Sequence, residues 1–144
     1  MAVNPIPEGY HTITPYLLAT DADGLLDFLR RALGATVKSS HNGPDGKLMH
    51  AELKIGNSML MLGQANGEWP AMPAMFYLYV EDVDSLYKQA IAAGGKSLRE
   101  PTNEYYGDRS SGVQDAYGNQ WWIATHVEDV SAEEMKKRQS EMGK

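Results

Sequence analysis

The chain has 144 residues, enough for one domain or for two small packed halves, and its 42% hydrophobic and 22% charged residues are those of a globular protein with a real core. The absence of cysteine excludes disulfides, thiolate catalysis and zinc–sulfur sites. A net charge of -6 argues against nucleic acid or an anionic membrane as a main partner.

No apolar run reaches the roughly 18–20 residues that span a bilayer. Met1 to Gly9 has neither the basic start nor the apolar stretch of a signal peptide, so a cytoplasmic location is expected. A single domain over residues 1–144 is expected, built from a first module (10–63), a linker (64–73), a second module (74–126) and a C-terminal helix (127–144).

The module reading rests on an internal repeat. Shifting the chain by 61 positions lays Tyr16-Leu17-Leu18-Ala19-Thr20-Asp21 on Tyr77-Leu78-Tyr79-Val80-Glu81-Asp82, and Gly34 falls on Gly95. Each copy opens with a short strand rich in apolar and aromatic residues, Ile13–Ala19 and Met75–Val80. Asp21 and Asp82 follow as helix caps, because a carboxylate there accepts from the free N–H groups of the first turn. Leu25, Leu26, Leu29 and Leu33 give the first helix an apolar stripe. Val83, Leu86, Tyr87, Ala90 and Ile91 do the same for the second. Gly34 and Gly94-Gly95 stop the helices.

Three strands then complete each copy. In the first they are Ala35–Ser40, Leu48–Ile55 and Ser58–Leu62, with turns at Asn42–Gly46 and at Gly56-Asn57. In the second they are Lys96–Arg99, Arg109–Gln114 and Gln120–Thr125, with a closing turn at Asp115–Asn119. That turn is one residue longer, which moves the expected offset of the last strand to 62. Gln64–Pro73 reads as linker. Ser131 with Glu134 fits a capping box for the last helix, and Lys136, Lys137 and Arg138 read as its solvated face.

Strand parity separates two faces. Ala51, Leu53, Ile55, Leu60 and Leu62 form an apolar set for packing under helices. His50, Glu52, Lys54, Met59 and Met61 take the other side, with Thr14, Tyr16 and Leu18 and with Met75, Tyr77 and Tyr79. Tyrosine and methionine suit either a pocket wall or a subunit interface.

Several stretches resemble the glyoxalase/bleomycin resistance/dioxygenase (vicinal oxygen chelate) superfamily, and most of all its PhnB-like branch. They are Tyr77–Asp84, Tyr106-Gly107-Asp108-Arg109, Asp115–Trp121, His50-Ala51-Glu52-Leu53 and Ala124–Ser131, within a likeness that covers about residues 10–139. The resemblance implies an α+β fold of two βαβββ modules whose curved mixed sheet surrounds a cleft. It also implies a homodimer and a divalent metal held by four His/Glu positions. Aligned by motif, those positions hold Thr14, Met61, Met75 and Trp122, none of them a usual ligand for a hard or borderline cation. No cofactor is therefore expected. His50 and Glu52, two apart on a strand, are the only substitute metal pair, and they lack a third ligand.

The leading expectation is a small-molecule binder of the bleomycin-resistance type, holding a planar or cationic ligand. Its expected contacts are Thr14, Tyr16, Glu52, Met61, Met75, Tyr77, Tyr79, Tyr106, Arg109 and Trp122. The alternative is an enzyme of the lyase, isomerase or dioxygenase type, either metal-dependent through an unusual site at His50 and Glu52 or metal-free with Glu52 or His50 as general base and Arg109 as an anion anchor. For Arg109 an ion pair with Asp108 or another acid competes with that role. Of the two tryptophans, at least one is expected to be structural.

Overall fold

The computed structural model describes residues 2–143. The first half runs β1 (Tyr16–Ala19), α1 (Ala22–Leu33), β2 (Thr36–Asn42), β3 (Leu48–Ile55) and β4 (Ser58–Gln64). The second runs β5 (Met75–Tyr79), α2 (Val83–Ala92), β6 (Lys96–Asn103), β7 (Asp108–Gln114) and β8 (Gln120–His126), and α3 (Ala132–Met142) closes the chain. Each half folds into its own four-stranded mixed sheet, in the orders β1-β4-β3-β2 and β5-β8-β7-β6. In each, the first strand lies parallel to the last and the remaining pairs are antiparallel. The repeat read from the sequence is thus a repeat of topology, and the fold is α+β with paired βαβββ modules. No ladder joins the two sheets among the described residues, so the modules meet through helices, turns and linker.

The helix starts show why the halves match. Asp21 and Asp82 both accept from the amide three residues on, at 3.1 Å. A second anchor comes from the last strand of each half. Gln64 accepts from the Ala22 amide at 2.9 Å and donates to the Thr20 carbonyl, while Thr125 accepts from the Val83 amide at 2.9 Å and donates to the Val80 carbonyl. Two different residues at repeat-equivalent positions therefore pin the first helical amide to the sheet. Gly34 ends α1 with φ of 69°, a left-handed conformation that suits glycine.

Each helix covers one face of its sheet. Leu17, Leu25, Leu29, Leu53 and Leu62 are buried in the first half, and Val83, Val113, Trp121 and Ile123 in the second. The expected apolar set Ala51, Leu53, Leu60 and Leu62 lies in this core, with Ile55 at its margin. Helices α1 and α2 pack against one another, where Gln89 donates to the Arg31 carbonyl at 3.0 Å.

Several boundaries differ from the sequence reading, each for a local reason. β1 starts at Tyr16 rather than Ile13, because Pro15 has no N–H to give to a ladder, and Ile13 is 84% exposed. β2 runs on to Asn42 and takes in His41, which pairs with His50. β6 extends to Asn103 through Pro101, tolerated because β6 is an edge strand with an irregular register there. Gln64 belongs to β4, not to the linker.

The last strand keeps the offset of 61: Tyr16 pairs with Met61 as Tyr77 pairs with Trp122. The longer turn is absorbed in β7 instead, where Gly112 rather than Val113 stands in the place of Glu52. At α3, Ser131 caps the Glu134 amide, but the Glu134 carboxylate turns to Arg138, so only half of the capping box forms. Arg138 is not simply solvated. It also binds Glu128 and the Tyr105 carbonyl, which docks α3 on the second module.

The paired helix tethers lead to a test. Thr125→Val keeps the shape but removes the acceptor for the Val83 amide and the donor to Val80. It should lower unfolding stability by about 1–2 kcal/mol in urea denaturation, with an unchanged slope.

Candidate functional site

Opposite the helix-covered faces, the two sheets carry polar and aromatic side chains in two clusters. In the first module, Glu52 sits at the middle of β3 beside Met61 on β4 and Ser39 on β2. Ser39 donates to one carboxylate oxygen and Tyr10 to the other. These two hydrogen bonds, Ser39's first, hold the Glu52 carboxyl below its ordinary value against the opposing effect of burial. The Tyr10 phenol is pushed up to about 12 by burial and by the neighbouring carboxylate. Tyr10 arrives from the N-terminal segment, which lies over this face. Pro5, Ile6, Pro7, Tyr10 and Thr14 enclose, with Glu52 and Met61, a cavity of about 680 Å³.

Next to it, Tyr16 and His50 form a second polar contact, with the Tyr16 hydroxyl 3.0 Å from His50 Nδ1. His41 lies against the other side of His50, their ring centres 5.6 Å apart. The Tyr16 ring crosses Gly63, where an added Cβ would come within 2.8 Å of its hydroxyl.

In the second module the cluster centres on Asp108, only 3% exposed. Its carboxylate accepts from Tyr77 at 2.8 Å and from Tyr79 at 2.9 Å, and His126 Nδ1 lies 2.8 Å from the other oxygen. His126 Nε2 contacts Asp129 at 2.8 Å, and the Tyr106 hydroxyl lies 3.5 Å from that of Tyr77. Burial pushes the Asp108 carboxyl up, but the hydrogen bonds from His126, Tyr77 and Tyr79 outweigh it and leave the group below its ordinary range. The Tyr77 phenol is pushed far up by burial and then by Tyr106 and Asp108; Tyr79 is raised chiefly by its bond to Asp108. Trp122 lies half-buried with its ring over Gly112, where a Cβ would come within 2.8 Å of it, and donates to Gln120.

The expected contacts therefore divide. Thr14, Glu52 and Met61 share one cavity; Tyr77, Tyr79 and Tyr106 share the Asp108 cluster; Thr14, Tyr77 and Tyr79 also line a second cavity between the modules; Trp122 lies beside Tyr77 on the open face of the second sheet. Tyr16 and Met75 stand on outer faces, 52% and 64% exposed. Arg109 is elsewhere. It alternates with Asp108, so it points to the helix side, where Nε and Nη2 bind both oxygens of Asp84 at the start of α2 and Nη1 binds Asn103. The ion pair is made with Asp84, not Asp108, and Arg109 does not face the proposed cleft.

Trp121 is the structural tryptophan. It is 1% exposed, stacked on Phe76, and donates to Asp115, which also gathers the Tyr117 and Asn119 amides. The Asp115–Trp121 motif is thus a turn scaffold.

Residues of these clusters that were missed from the sequence include Tyr10, Ser39, Asp108 and His126. Parity alone would have put Asp108 on the face of Gly112, and His126 opposite it. No local signal placed Tyr10, which reaches Glu52 through chain crossing.

The resemblance to the superfamily implies four metal-holding positions. A hydroxyl, two thioethers and an indole (Thr14, Met61, Met75, Trp122) do not suit a divalent cation. Among the described residues no group of three or more His, Asp or Glu is arranged to hold a metal, His50 and Glu52 included.

The family model for the glyoxalase/bleomycin resistance protein/dioxygenase superfamily matches residues 10–123. The chain belongs to this superfamily. A Mycobacterium bovis protein, Mb0911c, is 31% identical over 157 aligned residues that cover 99% of both chains. Mycobacterium tuberculosis Rv0887c matches at the same identity across 99% of this chain and 88% of its own. Among solved structures, TioX from Micromonospora sp. ML1 has a TM-score of 0.70 at 24% identity, covering 81% of this chain and 99% of TioX. Lactoylglutathione lyase from Agrobacterium tumefaciens has a TM-score of 0.60 at 22% identity over 85% of this chain and 96% of its own. At such identities these two structures bear on the fold alone. The fold class is the one that the superfamily implies.

The Asp108 cluster has a defined pH response. Its hydrogen bonds to Asp108 and Asp129 raise His126 above its ordinary value of 6.5. That contribution is complete below pH 6.5 and is lost as pH rises through the folded-state value. The Asp108 contribution is complete above its ordinary 3.8 and is lost as pH falls through its lowered value. The cluster is therefore strongest between these limits. In an NMR titration the His126 ring should titrate above 6.5, and Asp108→Asn should bring it back down; titration at or below 6.5 in the parent protein would show that the pair does not form in solution.

Proposed function

We propose that the protein binds a small, partly apolar, cationic or planar molecule on the open sheet face of its first module, without the metal tetrad of related folds. The observation that carries this reading is Glu52. It is a carboxylate held in its charged form by Ser39 and Tyr10 on the wall of a cavity otherwise lined by Pro5, Ile6, Pro7, His11, Thr12, Thr14 and Met61. An ionised acid in a largely apolar, ring-bearing cavity favours a cation over a neutral ligand of the same shape. The acidic balance of the whole chain works in the same direction.

The same observation weakens the alternative of Glu52 as general base. A carboxylate whose pKa is lowered by two hydrogen bonds is a poorer proton acceptor near neutral pH. The reading is accordingly a binding protein of the bleomycin-resistance type rather than a lyase or dioxygenase.

A homodimer is part of the proposal. Tyr16, Met75, Tyr77 and Tyr79 are 52%, 64%, 41% and 65% exposed, and such large side chains on an outer face suit contact with a second copy.

In a thermal-shift and calorimetric screen, a planar aromatic cation such as proflavine should stabilise the protein, and Glu52→Gln should weaken its binding about tenfold or more, the effect of losing one charge-assisted contact. If no planar or cationic compound at millimolar concentration raises the melting temperature, the binding reading fails. Sedimentation velocity should give twice the 15.9 kDa chain mass. A monomer at high micromolar concentration would remove the dimer from the proposal.

A further inference from the structure

The repeat is broken at one pair of equivalent contacts. The β7–β8 turn carries Tyr117, whose hydroxyl crosses to the other half and lies 3.4 Å from Asp21, the cap of α1. The ring fills the space outside the first turn of α1 so closely that a Cβ on Gly24 would lie 2.0 Å from the hydroxyl. Along this side Leu17 and Leu25 are 1% and 0% exposed.

The reciprocal contact runs from the β3–β4 turn toward α2. That turn is the short Gly56-Asn57 and carries no aromatic residue. Where Tyr117 has no counterpart, the structure has a cavity of about 1010 Å³, bounded by Gly56 and Asn57 on one side and by Asp82, Ser85 and Leu86 on the other. Leu78 and Leu86, the repeat partners of Leu17 and Leu25, line it and stay only half-buried. Ser85 replaces Gly24, a change that the closeness of Tyr117 forbids in the other half.

Asp82 is the helix-cap carboxylate at this cavity, whose lining also carries Glu81, Ser85 and Gln89. Like Asp21 it accepts from the amide of its own helix, Ser85 at 3.1 Å. Asp21 also receives the tyrosine hydroxyl; among the described residues no second donor reaches Asp82. The cavity thus combines a half-buried apolar wall with a carboxylate that has acceptor capacity to spare. Its size is within the range of small-molecule sites.

We propose that this inter-module cavity binds a small hydroxylated aromatic molecule, with the ring against Leu78 and Leu86 and the hydroxyl donating to Asp82. The protein's own Tyr117 shows which chemistry completes such a site. With Ser85 in place of Gly24, the bound hydroxyl sits outward of the Tyr117 position, within reach of both Asp82 and the Ser85 hydroxyl. The site adjoins the Glu52 cavity at His11 and Thr14 but is built on a different carboxylate, and neither proposal needs the other.

The test uses p-cresol, the tyrosine side chain as a free molecule, and 4-methylanisole, the same ring without a donor. In amide-resolved NMR titrations of the whole protein, p-cresol should shift the signals of residues 76–80 and 85–89. The ether should bind about tenfold more weakly, as should p-cresol to Asp82→Asn, whose amide oxygen can still cap Ser85. The proposal is overturned if p-cresol at 10 mM moves none of these signals. It is overturned equally if phenol and ether bind alike, or if the shifts fall at Glu52 and Met61 instead. The comparison of the two probes on the unaltered protein needs no variant to fold.

Discussion

Strand parity under a single helix is the constraint on which the rest of this structure depends. In each half one helix covers one face of a four-stranded sheet, so alternate side chains must be apolar and the others are released from packing. The first half shows this plainly, with Ala51 and Leu53 under α1 and His50, Glu52 and Lys54 on the far side. The helix can hold that position because its first amide is bound to the last strand, by Gln64 in one half and Thr125 in the other. Fixing the helix start fixes which face is buried, and so which face is free to carry chemistry.

The free faces have diverged although the frames have not. One holds Glu52 under an N-terminal segment, with Ser39 and Tyr10 as donors. The other holds Asp108, more deeply buried, with two tyrosines and a histidine as donors. In both, hydrogen bonds hold a carboxylate below its ordinary range. Gly63 and Gly112 serve the same end, since each gives up its side chain so that Tyr16 or Trp122 can lie flat across the sheet. The arginine that might have balanced this charge, Arg109, is spent on the helix side against Asp84.

The two modules also set unlike side chains at equivalent points of the frame. Met61 and Trp122 still occupy equivalent places beside Tyr16 and Tyr77. Their side chains carry a thioether and an indole, neither of which satisfies a hard cation. The carboxylates Glu52 and Asp108 stand at other positions.

From the sequence alone came the duplication, the two aspartate caps and the buried face of β3 and β4. These are local or periodic properties: cap chemistry is written within three residues, and parity within a strand. What only the tertiary structure decided were contacts between distant segments. Tyr10 meets Glu52 across 42 residues, Tyr117 meets Asp21 across 96, and Arg109 chooses Asp84 over its neighbour Asp108. No pattern within a window records such choices, because they follow from how the two halves and the N-terminal segment come to rest on each other.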